Sequence, residues 1–197
     1  MKLFKTICWK MCDQLHKYIA TPRMIVGYKN QISHCYLPLV RISNTTAINS
    51  AKYLNIQDNV FIGHYCFIEA SQGVFIGKGT QVCSHNVITT HSSHLAIRLY
   101  NDEYLEHNNH VGYMIGQVYI GEYSFIGSHC TIMPNVKLGK GTIVKAYSLV
   151  KGEYPDFAII AGNPAVVIGD TRNLDKKYLE YLPKALQNKY HQEFGNL

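Results

Sequence analysis

One aliphatic residue recurs every six positions through the second half of the chain: Ile120, Ile126, Ile132, Leu138, Val144 and Val150 fall in step without a miss. Four residues after each of the first five stands something small or β-branched, namely Ser124, Cys130, Val136, Thr142 and Ser148. The same period runs upstream through Ile42 and Ile48, then Ile56, Ile62 and Ile68, then Ile76, Val82 and Ile88, with a two-residue slip between groups. Six is too long for strands alternating in a simple meander and too short for a repeat that contains a helix. The pattern predicts short extended segments wound into a parallel β-helix. Each turn stacks its inward aliphatic residue on the next, with Gly, Asn and Asp at the strained corners. The repeat covers residues 40–172 of a 197-residue chain, which reads as one domain.

Both ends change period. Residues 2–19, KLFKTICWKMCDQLHKYI, set Phe4, Ile7, Cys8, Met11, Leu15, Tyr18 and Ile19 at helical spacing among Lys2, Lys5, Lys10 and Lys17. Thr21-Pro22 closes this helix, so it lies within 1–22. It reads as a cap over the first coil or a contact with a neighbouring subunit. The alternative is a basic amphipathic helix in peripheral contact with an anionic membrane. Residues 173–197 form a second helical segment whose apolar face, Tyr178, Leu179, Leu182 and Leu186, is expected to pack on the coil. Pro183 kinks it or divides it in two.

The period breaks once, after Ile88. A further step of six lands on His94, then Tyr100, Glu106 and Gly112, and the repeat resumes near Ile115–Ile120. Residues 89–117 are therefore a long inserted loop, and loops of this length in a compact domain usually carry function. Its apolar residues, among them Leu95, Leu99, Tyr104 and Tyr113, give it something to pack with. Five of the ten histidines fall nearby: His85, His91, His94, His107 and His110. His91 and His94 flank the break in the run THSSH. An imidazole at the next inward slot is costly without partners, which tells against His94 continuing the coil. His91 falls three residues past an inward slot, on an outward corner, and this favours it as a reactive group. His94 then orients it, binds substrate or turns away with the loop.

The repeat, together with the stretch TIMPNVKLGKGTIVKAYSLVKGEYPDFAIIAGNPA and the ending IIAGNPAVVIG, resembles the hexapeptide-repeat acyltransferases, closest to sugar and polysaccharide O-acetyltransferases. That resemblance implies a left-handed parallel β-helix, a homotrimer and acetyl-CoA as co-substrate. It also implies a histidine general base at the break, so His91 and His94 are the catalytic candidates. A neutral imidazole takes the proton of a sugar hydroxyl as its oxygen attacks the thioester. Asp102 and Glu103 are the nearest carboxylates in sequence to orient the base, and a backbone carbonyl would serve as well. The coenzyme A arm is expected along Gly127 to Pro164. Gly127, Ala146, Asn163 and Pro164 line that path, and Lys151 and Arg172 are placed as phosphate partners. Lys145 and Tyr147 stand where the family often has glycines, a departure that narrows the groove. Arg98, Tyr100, Asn101 and Asp102 are the candidates for contact with the acceptor. Within the class, antibiotic acetylation and N-acetylation of an amino sugar are the alternatives. Outside it stand a γ-class carbonic anhydrase, with zinc on three histidines, and a scaffold without activity.

Composition narrows this only a little. The formal net charge of +6 suits an anionic ligand or a membrane surface, and no basic patch interleaved with aromatics points to nucleic acid. The six cysteines, Cys8, Cys12, Cys35, Cys66, Cys83 and Cys130, form no CxxC pair, and no metal requirement is expected. No apolar run approaches eighteen residues and no signal peptide is visible, so the expectation is a cytoplasmic enzyme with reduced thiols.

Overall fold

The computed structural model describes residues 2–195; Met1, Asn196 and Leu197 of the two expected end segments, and the side chains of Lys2, Leu3, Phe4, Lys5, His16 and Ala20, lie outside the described part. The repeat winds into a three-sided parallel β-helix. The first face aligns Ile42, Ile62, Val82, Ile126, Val144 and Ile160. The second aligns Ile48, Ile68, Ile88, Ile132 and Val150. The third aligns Ile56, Ile76, Ile120, Leu138 and Tyr154. Most of these inward side chains are wholly buried, and they form one continuous core along the axis. The small residues four positions on are buried beside them. Where they are polar they bond to corner carbonyls, as Thr80 Oγ1 does to Gly121 (2.9 Å) and Ser148 Oγ to Lys145 (2.6 Å).

The register explains the slips. The early coils run from Ile42 to Ile62 to Val82, and their extra two residues always fall at the corner between the second and third faces, from Ile48 to Ile56 and from Ile68 to Ile76. The long insertion, from Ile88 to Ile120, leaves from that same edge. His94 does not continue the coil, as expected, but counting on by six was the wrong step at this edge. On this edge the step had been eight, which lands on Ala96, and Ala96 is buried under the inserted loop itself. The loop starts with His91–Ser92, which pairs antiparallel with Met114–Ile115 and closes the insertion at its base.

Each end of the core is closed by an antiparallel hairpin. At the start, Met24–Lys29 pairs with Tyr36–Ser43, and Tyr28 and Leu37 pack on the core. At the finish, Ala158–Gly162 pairs with Ala165–Asp170, and Tyr154 Oη donates to the Ala165 carbonyl at 2.9 Å. The hairpin therefore does the capping expected of the N-terminal helix. That helix, α1 (Lys2–Ala20), leaves Met11, Leu15, Tyr18 and Ile19 exposed. It is tethered near its C-terminal end, where Asn44 Nδ2 donates to the carbonyls of Ile19 and Thr21 and Arg23 donates to that of Tyr18.

Inside the inserted loop lies a short helix, α2 (Ala96–Tyr100). After the final hairpin come α3 (Thr171–Leu179) and α4 (Lys184–Phe194), divided at Pro183. The expected apolar face does not seal the coil, because Tyr178, Leu182 and Leu186 are exposed. Instead α4 docks by its far end. Phe194 meets the rings of Tyr123 and Phe157, and Lys140 Nζ pairs with Glu193 at 2.5 Å. Tyr123 and Phe157 have left-handed backbone at the corners between the third and first faces, which turns their rings outward to receive Phe194.

Candidate active site

The side chains brought together at the break come from two coils. Ile68 lies beneath Ile88, so Glu69 comes up beside Thr89 and Thr90. Its carboxylate is almost wholly buried and fully engaged. Oε2 accepts from Thr90 Oγ1 (2.6 Å), Thr90 N–H (3.2 Å) and His91 Nδ1 (2.8 Å), while Oε1 accepts from Ser71 N–H (2.7 Å). Burial alone raises such a carboxyl, but the hydrogen bonds from Thr90 and Ser71 outweigh it and hold Glu69 down at about 2. It is an anion at any ordinary pH.

A carboxylate only accepts, so His91 Nδ1 must be the ring nitrogen that carries the proton. The neutral ring then has its lone pair on Nε2. The His91 side chain is 37% exposed where the Glu69 side chain is 8% exposed, so the buried end is fixed and the other end is open. Tyr113, from the far side of the loop, lies alongside the ring at 5.8 Å between centroids. The Thr89 hydroxyl donates to the His91 carbonyl at 2.8 Å and fixes the backbone at the turn. A base with one nitrogen tied to a buried anion and the other facing solvent is arranged to take a proton from a bound acceptor.

His94 is exposed, and its Nδ1 meets Ser92 Oγ at 2.8 Å. Arg98 donates to the His94 carbonyl at 2.7 Å. Tyr100 Oη receives the Val111 N–H at 2.9 Å, and its ring packs on His107 and His110, so its polar end is used within the loop. Asn101 and Asp102 are exposed on the following turn. The carboxylate expected to orient the base is therefore not Asp102 or Glu103. Glu103 lies 3.7 Å from His107, and the carboxylate bonded to His91 is instead Glu69, 22 residues before it. The spacing hid it, because a residue one full coil earlier is a spatial neighbour only once the turn length is known.

The histidine cluster also divides. His85 lies on the edge between the first and second faces, in a stack of rings Tyr65, His85, His129 and Tyr147 with successive centroids 5.2, 4.8 and 4.9 Å apart. His110 Nε2 donates to the Tyr104 carbonyl at 2.6 Å. Among the described residues no three His, Cys, Asp or Glu side chains form a group that would hold a metal ion.

Of the donor-path residues, Gly127, Ala146, Asn163 and Pro164 fall on that first-to-second edge, beside the ring stack. A Cβ on Gly127 would lie 2.5 Å from Ala146 N, so coil stacking by itself demands glycine there. Lys151 follows Val150 onto the second-to-third edge, the edge that carries His91. Arg172 is held by Asp170 (2.5 Å) and lies over the Phe157 ring at 4.7 Å, away from both. It holds the Asp170 carboxyl below its ordinary range.

Comparison with known proteins agrees with this architecture. The family described as "Bacterial transferase hexapeptide (six repeats)" matches residues 117–152. A chloramphenicol acetyltransferase of Agrobacterium fabrum is 30% identical over 159 residues, 78% of this chain and 70% of the relative. A relative named for O-acetyl transfer in lipopolysaccharide biosynthesis, WbbJ of Escherichia coli, is 32% identical over 114 residues, 56% of this chain. The chain spans 57% of the length of WbbJ and 36% of another curated relative. Among solved structures, the crystal structure of AntD, an N-acyltransferase from Bacillus cereus in complex with dTDP and 3-hydroxybutyryl-CoA, superposes with a TM-score of 0.56 at 20% identity. It covers 72% of this chain and 87% of AntD, and the shared fold is the left-handed β-helix.

Proposed function

The chain belongs to the hexapeptide-repeat transferases, and on that premise we propose that it moves an acetyl group from acetyl-CoA to a hydroxyl of a sugar or glycan, with His91 as general base. The observation that carries this reading is the Glu69–His91 pair, which leaves Nε2 as the free base at the one place where the coil opens. The acceptor oxygen attacks the thioester carbonyl as its proton passes to Nε2. The tetrahedral intermediate then expels the thiolate, which takes the proton back from Nε2. Buried Glu69 stabilises the imidazolium that exists between the two transfers. No covalent enzyme intermediate is needed, and a positioned base of this kind contributes roughly 10²- to 10⁴-fold.

The donor path supports a site shared between copies of the chain. Four of its residues lie on a different edge of the prism from His91, so the donor held along Gly127–Pro164 of one copy meets the base of another, as a homotrimer allows. Lys151, on the edge of His91, is then free for a phosphate of the donor.

Release of coenzyme A thiol from acetyl-CoA, measured over a panel of sugars, amino sugars and chloramphenicol, tests the assignment. The expected result is turnover with a sugar hydroxyl, lost roughly 10²-fold or more in His91→Ala and far less in His94→Ala. Full activity in His91→Ala sinks the mechanism, and turnover confined to amines or to chloramphenicol sinks the acceptor.

A further inference from the structure

The net charge of the molecule is concentrated at one end. The first 57 residues hold eight of the 19 Lys and Arg residues and one of the 13 Asp and Glu residues, whereas beyond residue 57 the two signs nearly balance. In the fold these residues are α1, the capping hairpin and the first coil. The single acid, Asp13, is neutralised by Lys17 at 2.7 Å.

The same end exposes apolar side chains that no described residue covers. On α1, Ile7, Met11, Leu15, Tyr18 and Ile19 follow one another at helical spacing along one face and are 48–67% exposed. On the adjoining hairpin Val26, Tyr36 and Leu39 are more than half exposed as well. Lys10 lies on the opposite side of the helix from Leu15 and Ile19, and Lys17 flanks it. No described helix is long and apolar enough to cross a membrane, so contact of this kind lies along a surface.

We propose that α1 and the capping hairpin form a docking surface for an anionic lipid bilayer, with α1 lying in the headgroup plane. A bilayer with acidic headgroups matches both features at once. The lysines meet the phosphates, and the apolar stripe enters the acyl boundary. A polyanion such as nucleic acid matches the charge but leaves the stripe in water. A second copy matches the apolar stripe but brings the same positive charge to it, so it does not answer the basic residues.

Co-sedimentation of the full chain with vesicles decides the matter. Vesicles of phosphatidylcholine with about 30% phosphatidylglycerol are expected to bind at least ~10-fold more protein than phosphatidylcholine alone. Raising salt from about 0.1 to 0.5 M should release most of it, because the Debye length shrinks. Met11→Asp with Leu15→Asp removes the apolar contact, Lys10→Glu with Lys17→Glu removes the charge contact, and each pair should abolish binding while leaving the melting temperature unchanged. Equal binding to both vesicle types, or undiminished binding by the Met11/Leu15 variant, overturns the proposal. So does a fall in oligomer size in that variant without any vesicle binding by the parent, which makes the stripe a seam between copies.

Discussion

Replacing Glu69 by Gln isolates the charge that the buried pair supplies. The side chain keeps its size, and its one carbonyl oxygen goes where three donors converge: Thr90 Oγ1, Thr90 N–H and His91 Nδ1. The amide nitrogen is then turned toward the Ser71 N–H, which loses its acceptor at 2.7 Å. That mismatch costs about 1–3 kcal/mol of stability. The tautomer of His91 survives, because an oxygen still faces Nδ1. What disappears is the negative charge beside the imidazolium. A unit pair about 4 Å apart at an effective dielectric near 20 interacts by roughly 4 kcal/mol. The His91 ring is partly open, so about half of that, ~2 kcal/mol, is a reasonable share, or ~30-fold in kcat. Steady-state thiol release measures it, alongside His91→Ala and the double variant. Since Glu69 acts through His91, the double variant should be no slower than His91→Ala. If Glu69→Gln keeps kcat within about threefold of the parent, or slows His91→Ala by its full factor, the positioning argument is refuted.

Other outcomes follow from the same geometry. The Glu69 carboxyl sits at about 2 in the fold against an ordinary 4.5, so its stabilisation is complete above the higher value and drains away as pH falls toward the lower. Urea titrations of parent and Glu69→Gln should therefore differ by up to about 3 kcal/mol at neutral pH and converge near pH 2. A gap that stays constant with pH refutes this. Gly127→Ala places a methyl 2.5 Å from Ala146 N in the next coil, which should cost ~1–3 kcal/mol and lower the melting temperature by several degrees. Phe194→Ala removes the ring that meets Tyr123 and Phe157, so limited proteolysis should cut between 180 and 195 sooner while the coil stays intact.

The site was half legible in the sequence. The break after Ile88 marked where to look, and the corner argument favoured His91 over His94 without excluding the latter. Glu69 was invisible because its relation to His91 depends on coil length, and the coil is not three equal sixes. A stretch from Ile68 to Ile88 makes the two residues neighbours, whereas from Ile132 to Val150 the turn is shorter. The neighbouring carboxylates Asp102 and Glu103 were the natural guess in one dimension, but the inserted loop carries them onto its exposed side.

Period and composition along the chain determined the inward residues, the small partners beside them, the place of the interruption and the two flanking helical segments. These follow from local chemistry, since an aliphatic residue every six positions has few ways to be buried. The tertiary structure decided which edge each residue occupies. It put every irregular corner on one edge, α4 on a second and the ring stack on the third. It also left α1 bare while a hairpin did the capping. Those outcomes depend on how many residues each turn takes to come around, and on which surfaces are already covered when it does.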